Sequence, residues 1–179
     1  QGPLAAHALQ GMGYSDVAYI EGGYNAWVAQ GHSTHQDRPL SKAEVQRFSR
    51  HLLIPEVGER GQGKLLDAKV LLIGAGGLGC PVALYLGAAG VGHLTLVDDD
   101  QIELANLQRQ IAFQQSWLGD SKAERLAERV RAINPEITVN AVNRRVDGGD
   151  LKQLVAESTL VLDCTDNFNT RFALNRASV

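Results

Sequence analysis

The run Val70-Leu71-Leu72-Ile73-Gly74-Ala75-Gly76-Gly77-Leu78-Gly79 constrains the fold of this chain more than any other stretch. Four consecutive apolar residues have the length and composition of a strand buried on both faces. The glycines end that strand in a turn, and the apolar residues after Cys80 start a helix. Gly74 permits the tight turn, Gly76 lets the backbone approach phosphate, and Gly79 lets helix pack on strand. Such a turn offers unpaired backbone N–H groups and the positive end of a helix dipole, which suits phosphate. Asp98 closes the next strand at roughly the 20-residue offset where a carboxylate meets ribose hydroxyls. The pattern specifies a nucleotide. It leaves open whether that nucleotide is an oxidant or an adenylate donor.

From Lys69 onward strands alternate with helices. The spacing predicts strands over 70–73, 94–97, 137–142 and 159–162, and helices over 81–89, 122–133, 151–157 and from 168. A polar loop with short helical turns fills 104–113. Alternation of this kind predicts a Rossmann-like, doubly wound α/β fold with a mostly parallel sheet and right-handed crossovers, incomplete at the C-terminal side. Upstream, Ser41-Lys42-Ala43-Glu44 matches a capping box and opens a helix to about Leu53, which Pro55 and Gly58 break. Residues 1–31 read as a helix over 4–12, a strand over 17–20 and a helix over 24–29. A segment this short buries too little surface to fold alone. The polar stretch 32–40 has a linker's composition. The expected organisation is therefore an appendage over 1–31, a linker over 32–40 and a main domain over 41–179. Both ends look cut, so the chain reads as part of a longer protein.

Net charge of −3 gives no electrostatic footprint for nucleic acid or an anionic membrane. No apolar run approaches the ~20 residues of a membrane span. Cys80 and Cys164 lie far apart, and reduced thiols of a cytoplasmic protein are the expectation. The sequence contains no Cys-x-x-Cys, hence no recognisable zinc site.

The residues after the strands separate the two nucleotide chemistries. Asn106-Leu107-Gln108-Arg109-Gln110 follows Asp98, and an arginine there suits a triphosphate because its planar fork matches phosphate oxygens. Lys122 begins a helix, where the dipole disfavours a cation. Service to a phosphate explains that placement, and so does an ordinary charged helix surface. Asp163-Cys164-Thr165-Asp166-Asn167 follows the fourth strand, at the end where parallel sheets bind ligands. Carboxylates there can hold Mg²⁺, while Asp166 or Asn167 is equally suited to capping the next helix. Arg47 and Arg50 stand three apart and share one face of the first long helix.

Taken in order, these segments closely resemble the MoeB/ThiF family, bacterial relatives of the ubiquitin-activating enzymes. The matching residues run from Arg47-Phe48-Ser49-Arg50-His51 to Gly58, then Gly74 to Pro81, Leu94 to Asp98, Asn106 to Gln110, Lys122, and Asp163 to Asn167 with Thr170-Arg171. The resemblance covers about residues 41–179. It implies ATP- and Mg²⁺-dependent adenylation of the C-terminal Gly-Gly carboxylate of a ubiquitin-like sulfur-carrier protein, the molybdopterin-synthase small subunit being favoured. By position, Gly74, Gly76, Gly77 and Gly79 would lie under the ATP, Asp98 would take its ribose, and Asn106, Arg109 and Lys122 its phosphates. Asp166 would be the essential acidic residue near Mg²⁺. Arg50 would reach into the partner subunit of a homodimer. The resemblance also implies Zn²⁺ in the intact protein, with ligands that are absent from this sequence. Residues 1–31, with Glu21-Gly22-Gly23-Tyr24-Asn25-Ala26-Trp27 and Gly31, resemble the C-terminal tail of a rhodanese domain. The alternative from another reaction class is an NAD-dependent oxidoreductase.

Overall fold

A computed structural model describes residues 2–32 and 38–179. Two compact units divide the chain, Gln1–Asp37 and Arg38–Val179. Residues 33–37, the middle of the expected linker, lie outside the described residues.

The first unit contains α1 (Gly2–Gly11) and α2 (Gly23–Ala29). None of its described residues is buried, and Leu4, Met12 and Tyr24 are exposed. The strand expected over 17–20 does not form. A strand needs a neighbour to satisfy its N–H and C=O groups, and no described residue of this unit offers one.

In the second unit Ser41 caps α3 (Lys42–Arg47), completing a capping box with Glu44. The helix expected to reach Leu53 breaks at Phe48 and restarts as α4 (Ser49–Leu52). Phe48, at the break, is 3% exposed, and its ring lies against Gly90. Arg47 and Arg50 therefore stand on separate short helices, where the sequence reading put both on one. Arg47 donates to the Ile133 carbonyl. Helix α5 (Gly58–Asp67) follows, unforeseen because three of its ten residues are glycine.

The remaining chain forms β1 (Lys69–Ile73), α6 (Gly79–Ala89), β2 (His93–Val97), α7 (Lys122–Ile133), β3 (Thr138–Val142), α8 (Gly148–Ala156), β4 (Leu160–Asp163) and α9 (Phe168–Ser178). All pairings in the sheet are parallel, in the order β3-β2-β1-β4. Pleating sends alternate residues to opposite faces. Val70 and Leu72 join Leu94, Leu96, Leu126 and Val130 in one core, while Leu71 and Ile73 join Val97, Leu151 and Leu174 in the other. Helices thus cover both faces of the sheet. This is the doubly wound Rossmann-like arrangement the alternation predicts, and its strand order reverses between β1 and β4.

Candidate functional site

The carboxyl ends of the strands open into a cavity of about 850 Å³. That is within the ~300–1,000 Å³ range of small-molecule sites. A second cleft, of about 760 Å³, lies at the amino ends of the strands and mixes Arg38 and Arg47 with Glu44 and Glu136. Parallel sheets bind ligands at the other end, so the first cavity is the candidate.

Its floor is the glycine turn. Gly74 has φ +98, and a Cβ there would come within 2.8 Å of the Cys164 carbonyl oxygen, so both conformation and space require glycine. A Cβ on Gly79 would collide with the Gly74 carbonyl, so this glycine serves helix–strand packing. Gly76 differs. A Cβ there would meet only the Gln110 Nε2, at 3.9 Å, which leaves its backbone open to a ligand. Gly77 lies under the Arg109 side chain, 3.5 Å from a Cβ position.

Asp98 is half-buried and fastens this turn to β2. Its Oδ2 accepts from Ala75 N–H at 2.6 Å and its Oδ1 from Asp100 N–H at 2.9 Å. Burial pushes its carboxyl above the ordinary carboxylate value, against the downward pull of those two donors. Each oxygen keeps lone-pair capacity for a hydroxyl donor.

Asn106, Arg109 and Lys122 enter the cavity from the chain between β2 and the start of α7, while Arg144, Arg145 and Arg171 line it from later elements. Asn106 is buried, and its Oδ1 accepts from Glu103 N–H, which leaves its NH₂ for a ligand. Arg109 is exposed and spends one N–H on the Ala105 carbonyl. Lys122 is not the exposed lysine of an ordinary charged helix. It is 5% exposed, with its Nζ 2.8 Å from Asp100 Oδ2.

Across the cavity lies the loop after β4. Asn167 caps α9 by accepting from Thr170 N–H, which settles the capping question. Asp166 makes no hydrogen bond or ion pair among the described residues, so both its oxygens are free for a cation. Arg171 holds the loop by donating to the Thr165 carbonyl.

The structure therefore gathers Gly74, Gly76, Gly77, Asp98, Asn106, Arg109, Lys122 and Asp166 around one cavity. Arg50, exposed on α4, is not among the residues that line it. Sequence reasoning gave no role to several polar lining residues, among them Asp99, Asp100, Gln110, Arg144 and Arg145. Gln110 is 3% exposed, and its Oε1 has no partner among the described residues. Its place beside Arg109 was the available signal; burial was not legible. For Asp100 the signal was the Asp98-Asp99-Asp100 run, from which only Asp98 was read.

A reversed strand order, a glycine turn entering a helix, and charged residues at the strand mouths define a Rossmann-like α/β protein of the nucleotide-binding type. The ThiF family pattern matches residues 48–179, and the chain belongs to that family. It is 47% identical over 136 residues to the SAMP-activating enzyme E1 of Haloferax volcanii, an overlap of 76% of this chain and 50% of that protein. It is 46% identical over 140 residues to the sulfur carrier protein ThiS adenylyltransferase of Escherichia coli, covering 78% of this chain and 56% of that protein. Among solved structures, the E. coli tRNA N6-threonylcarbamoyladenosine dehydratase TcdA in complex with ATP superposes with a TM-score of 0.71 at 33% identity, covering 76% of this chain and 56% of that one. The chain spans about half the length of these relatives.

Proposed function

We propose that this chain forms the ATP-binding part of an adenylyltransferase acting on the C-terminal Gly-Gly carboxylate of a ubiquitin-like sulfur carrier. One observation carries the reading: Arg109, Lys122 and an unpartnered Asp166 converge on a glycine turn in a single cavity. A nicotinamide needs none of the three, so an oxidoreductase leaves them unexplained. The names of the relatives point the same way.

The chemistry suits this inventory. A carrier carboxylate is ionised at pH 7 and needs no general base. One of its oxygens attacks the α-phosphorus. The bond from that phosphorus to the bridging oxygen breaks, pyrophosphate leaves with the electron pair, and an acyl-adenylate remains. The barrier lies in aligning two anions and stabilising the charge of the leaving group, a task for fixed cations. Arg109 and Lys122 are suited to the departing phosphates, the Gly76–Gly77 backbone to the triphosphate, and Asp98 to the ribose.

Mg²⁺ fits this site. It binds through one or two carboxylates plus phosphate oxygens, and Asp166 offers a carboxylate with no competing partner. There the ion would neutralise phosphate charge. Zn²⁺ we expect in the intact protein through residues outside this sequence; among the described residues no group of three or more His, Cys, Asp or Glu could hold a metal.

The carrier of molybdopterin synthase remains our favoured substrate on overall resemblance. In the homodimer we propose, Arg50 is exposed and unpaired among the described residues, and so available to a partner subunit's site. Residues 1–31 we assign to the tail of a sulfurtransferase module and 32–40 to a linker.

Mass spectrometry tests the reading. Incubation with ATP, Mg²⁺ and a Gly-Gly-tailed carrier should add one AMP to the carrier's C-terminus. A carrier that stays unmodified while the protein turns over NADH would overturn it.

A further inference from the structure

Lys122 occupies an unusual position for a cation. It starts α7, where the helix dipole is unfavourable to positive charge, and its side chain is only 7% exposed. Its ion-pair partner among the described residues is Asp100, at 2.8 Å. The backbone holds the pair in register. Asp100 N–H donates to Asp98 Oδ1 at 2.9 Å, and Lys122 N–H donates to the Asp100 carbonyl at 3.1 Å. Unlike the lysine, the Asp100 side chain is 66% exposed. The ammonium is fixed and buried; the carboxylate can turn out to water at small desolvation cost. Both residues line the cavity that holds Arg109 and the glycine turn.

We propose that the Asp100 carboxylate competes with the terminal phosphates of the nucleotide for the Lys122 ammonium, and so sets how readily pyrophosphate is released. The inference rests on the ATP reading given above. An arriving polyphosphate exchanges one anionic partner of Lys122 for another, so the buried charge is paired in both states. Binding free energy then reflects a difference between two ion pairs, not the whole of one. Pyrophosphate, once detached, faces a carboxylate tethered beside its main cation and ready to replace it. Both anions staying at Lys122 would place them within a few ångströms of each other in a partly enclosed space, where repulsion is strong. Asp99, the exposed neighbour in the same cavity, makes no ion pair among the described residues and supplies a control for charge alone.

The test is calorimetric titration of the full-length protein with ATP·Mg²⁺, inorganic tripolyphosphate and AMP. Asp100→Asn should bind ATP·Mg²⁺ and tripolyphosphate about 10-fold more tightly, a change of ~1.4 kcal/mol. AMP, which lacks the terminal phosphates, should bind within about twofold of the unsubstituted protein. Asp100→Ser should behave alike, which guards against a local effect of the amide. In a Lys122→Gln background the Asp100→Asn gain should vanish. Unchanged or weaker polyphosphate binding by both Asp100 variants overturns the proposal. So does an equal gain from Asp99→Asn, which assigns the effect to bulk charge. An unsubstituted protein that binds no ATP at all overturns the nucleotide reading instead, and this inference with it.

Discussion

Asp98 accepts the backbone N–H of Ala75 at 2.6 Å, and that bond ties the glycine turn to the end of β2. The same carboxylate accepts Asp100 N–H, so one side chain fixes two loops of the cavity. Asp98→Asn leaves at least one of these donors facing an amide NH₂. It should cost about 1–3 kcal/mol of stability and weaken ATP binding, as urea unfolding and titration would show. The pH dependence has a definite sign. Burial raises the folded pKa of Asp98. Its contribution to stability is therefore full below the unfolded value, about pH 4, and is lost as pH rises through the folded value. The stability gap between the unsubstituted protein and Asp98→Asn should narrow as pH rises through that window. A widening gap would contradict the assignment.

Two glycines of the same turn should respond in opposite ways. Gly74→Ala forces a side chain to φ +98 and to within 2.8 Å of the Cys164 oxygen. It should cost roughly 2–4 kcal/mol, visible as a lowered denaturation midpoint. Gly76→Ala meets only the Gln110 Nε2, at an ordinary contact distance of 3.9 Å, and should leave the midpoint nearly unchanged. Its methyl group occupies the path of the ligand, so ATP affinity should fall at least ~10-fold.

Gln62 is fully buried between α4 and the end of α6. It shares a hydrogen bond with His51 Nδ1 at 2.9 Å and donates to the Ala89 carbonyl at 2.9 Å. Gln62→Leu keeps the volume and strands both partners. We expect a loss of about 1–3 kcal/mol in urea unfolding, with each half-buried orphan contributing. An unchanged midpoint would show that the pair is solvated some other way.

The two thiols should differ in reactivity. Burial pushes the Cys80 pKa up to about 11, so little thiolate exists near pH 8. Cys164 is half-buried, and its thiol is pushed up by burial first and the Asp163 carboxylate second. A thiol-titrating disulfide reagent should label Cys164 slowly in the folded protein and Cys80 only on unfolding. Early labelling of Cys80 would contradict the packing described for α6.

Legibility in the sequence followed local pattern strength. Strands β1 and β2 read directly, because Val70–Ile73 and Leu94–Val97 are apolar runs beside glycine or aspartate. Helix α7, expected over 122–133, forms over Lys122–Ile133, a strongly amphipathic stretch. Helix α5 was hidden by Gly58, Gly61 and Gly63, whose weak propensity is overridden when the helix packs in the fold. At the break, the Phe48 ring packs where a side chain on the distant Gly90 would stand, a contact no local pattern reports. In the cavity, the residue types at the strand mouths were readable, but not their pairing. Burial of Lys122 and its bond to Asp100 join residues 22 apart in sequence. The strand expected over 17–20 failed for the converse reason: its apolar residues were visible, while the absence of a pairing neighbour was not.

The most direct test of the account is ATP–pyrophosphate exchange by the full-length protein, with and without a Gly-Gly-tailed carrier, in the unsubstituted, Arg109→Ala and Asp166→Ala forms. The account predicts carrier-dependent exchange that falls by at least ~10³-fold in either variant. For Asp166→Ala the denaturation midpoint should not move, because that carboxylate makes no bond within the described fold. Exchange that persists near its normal rate in Asp166→Ala, or that never appears with any carrier, would contradict it.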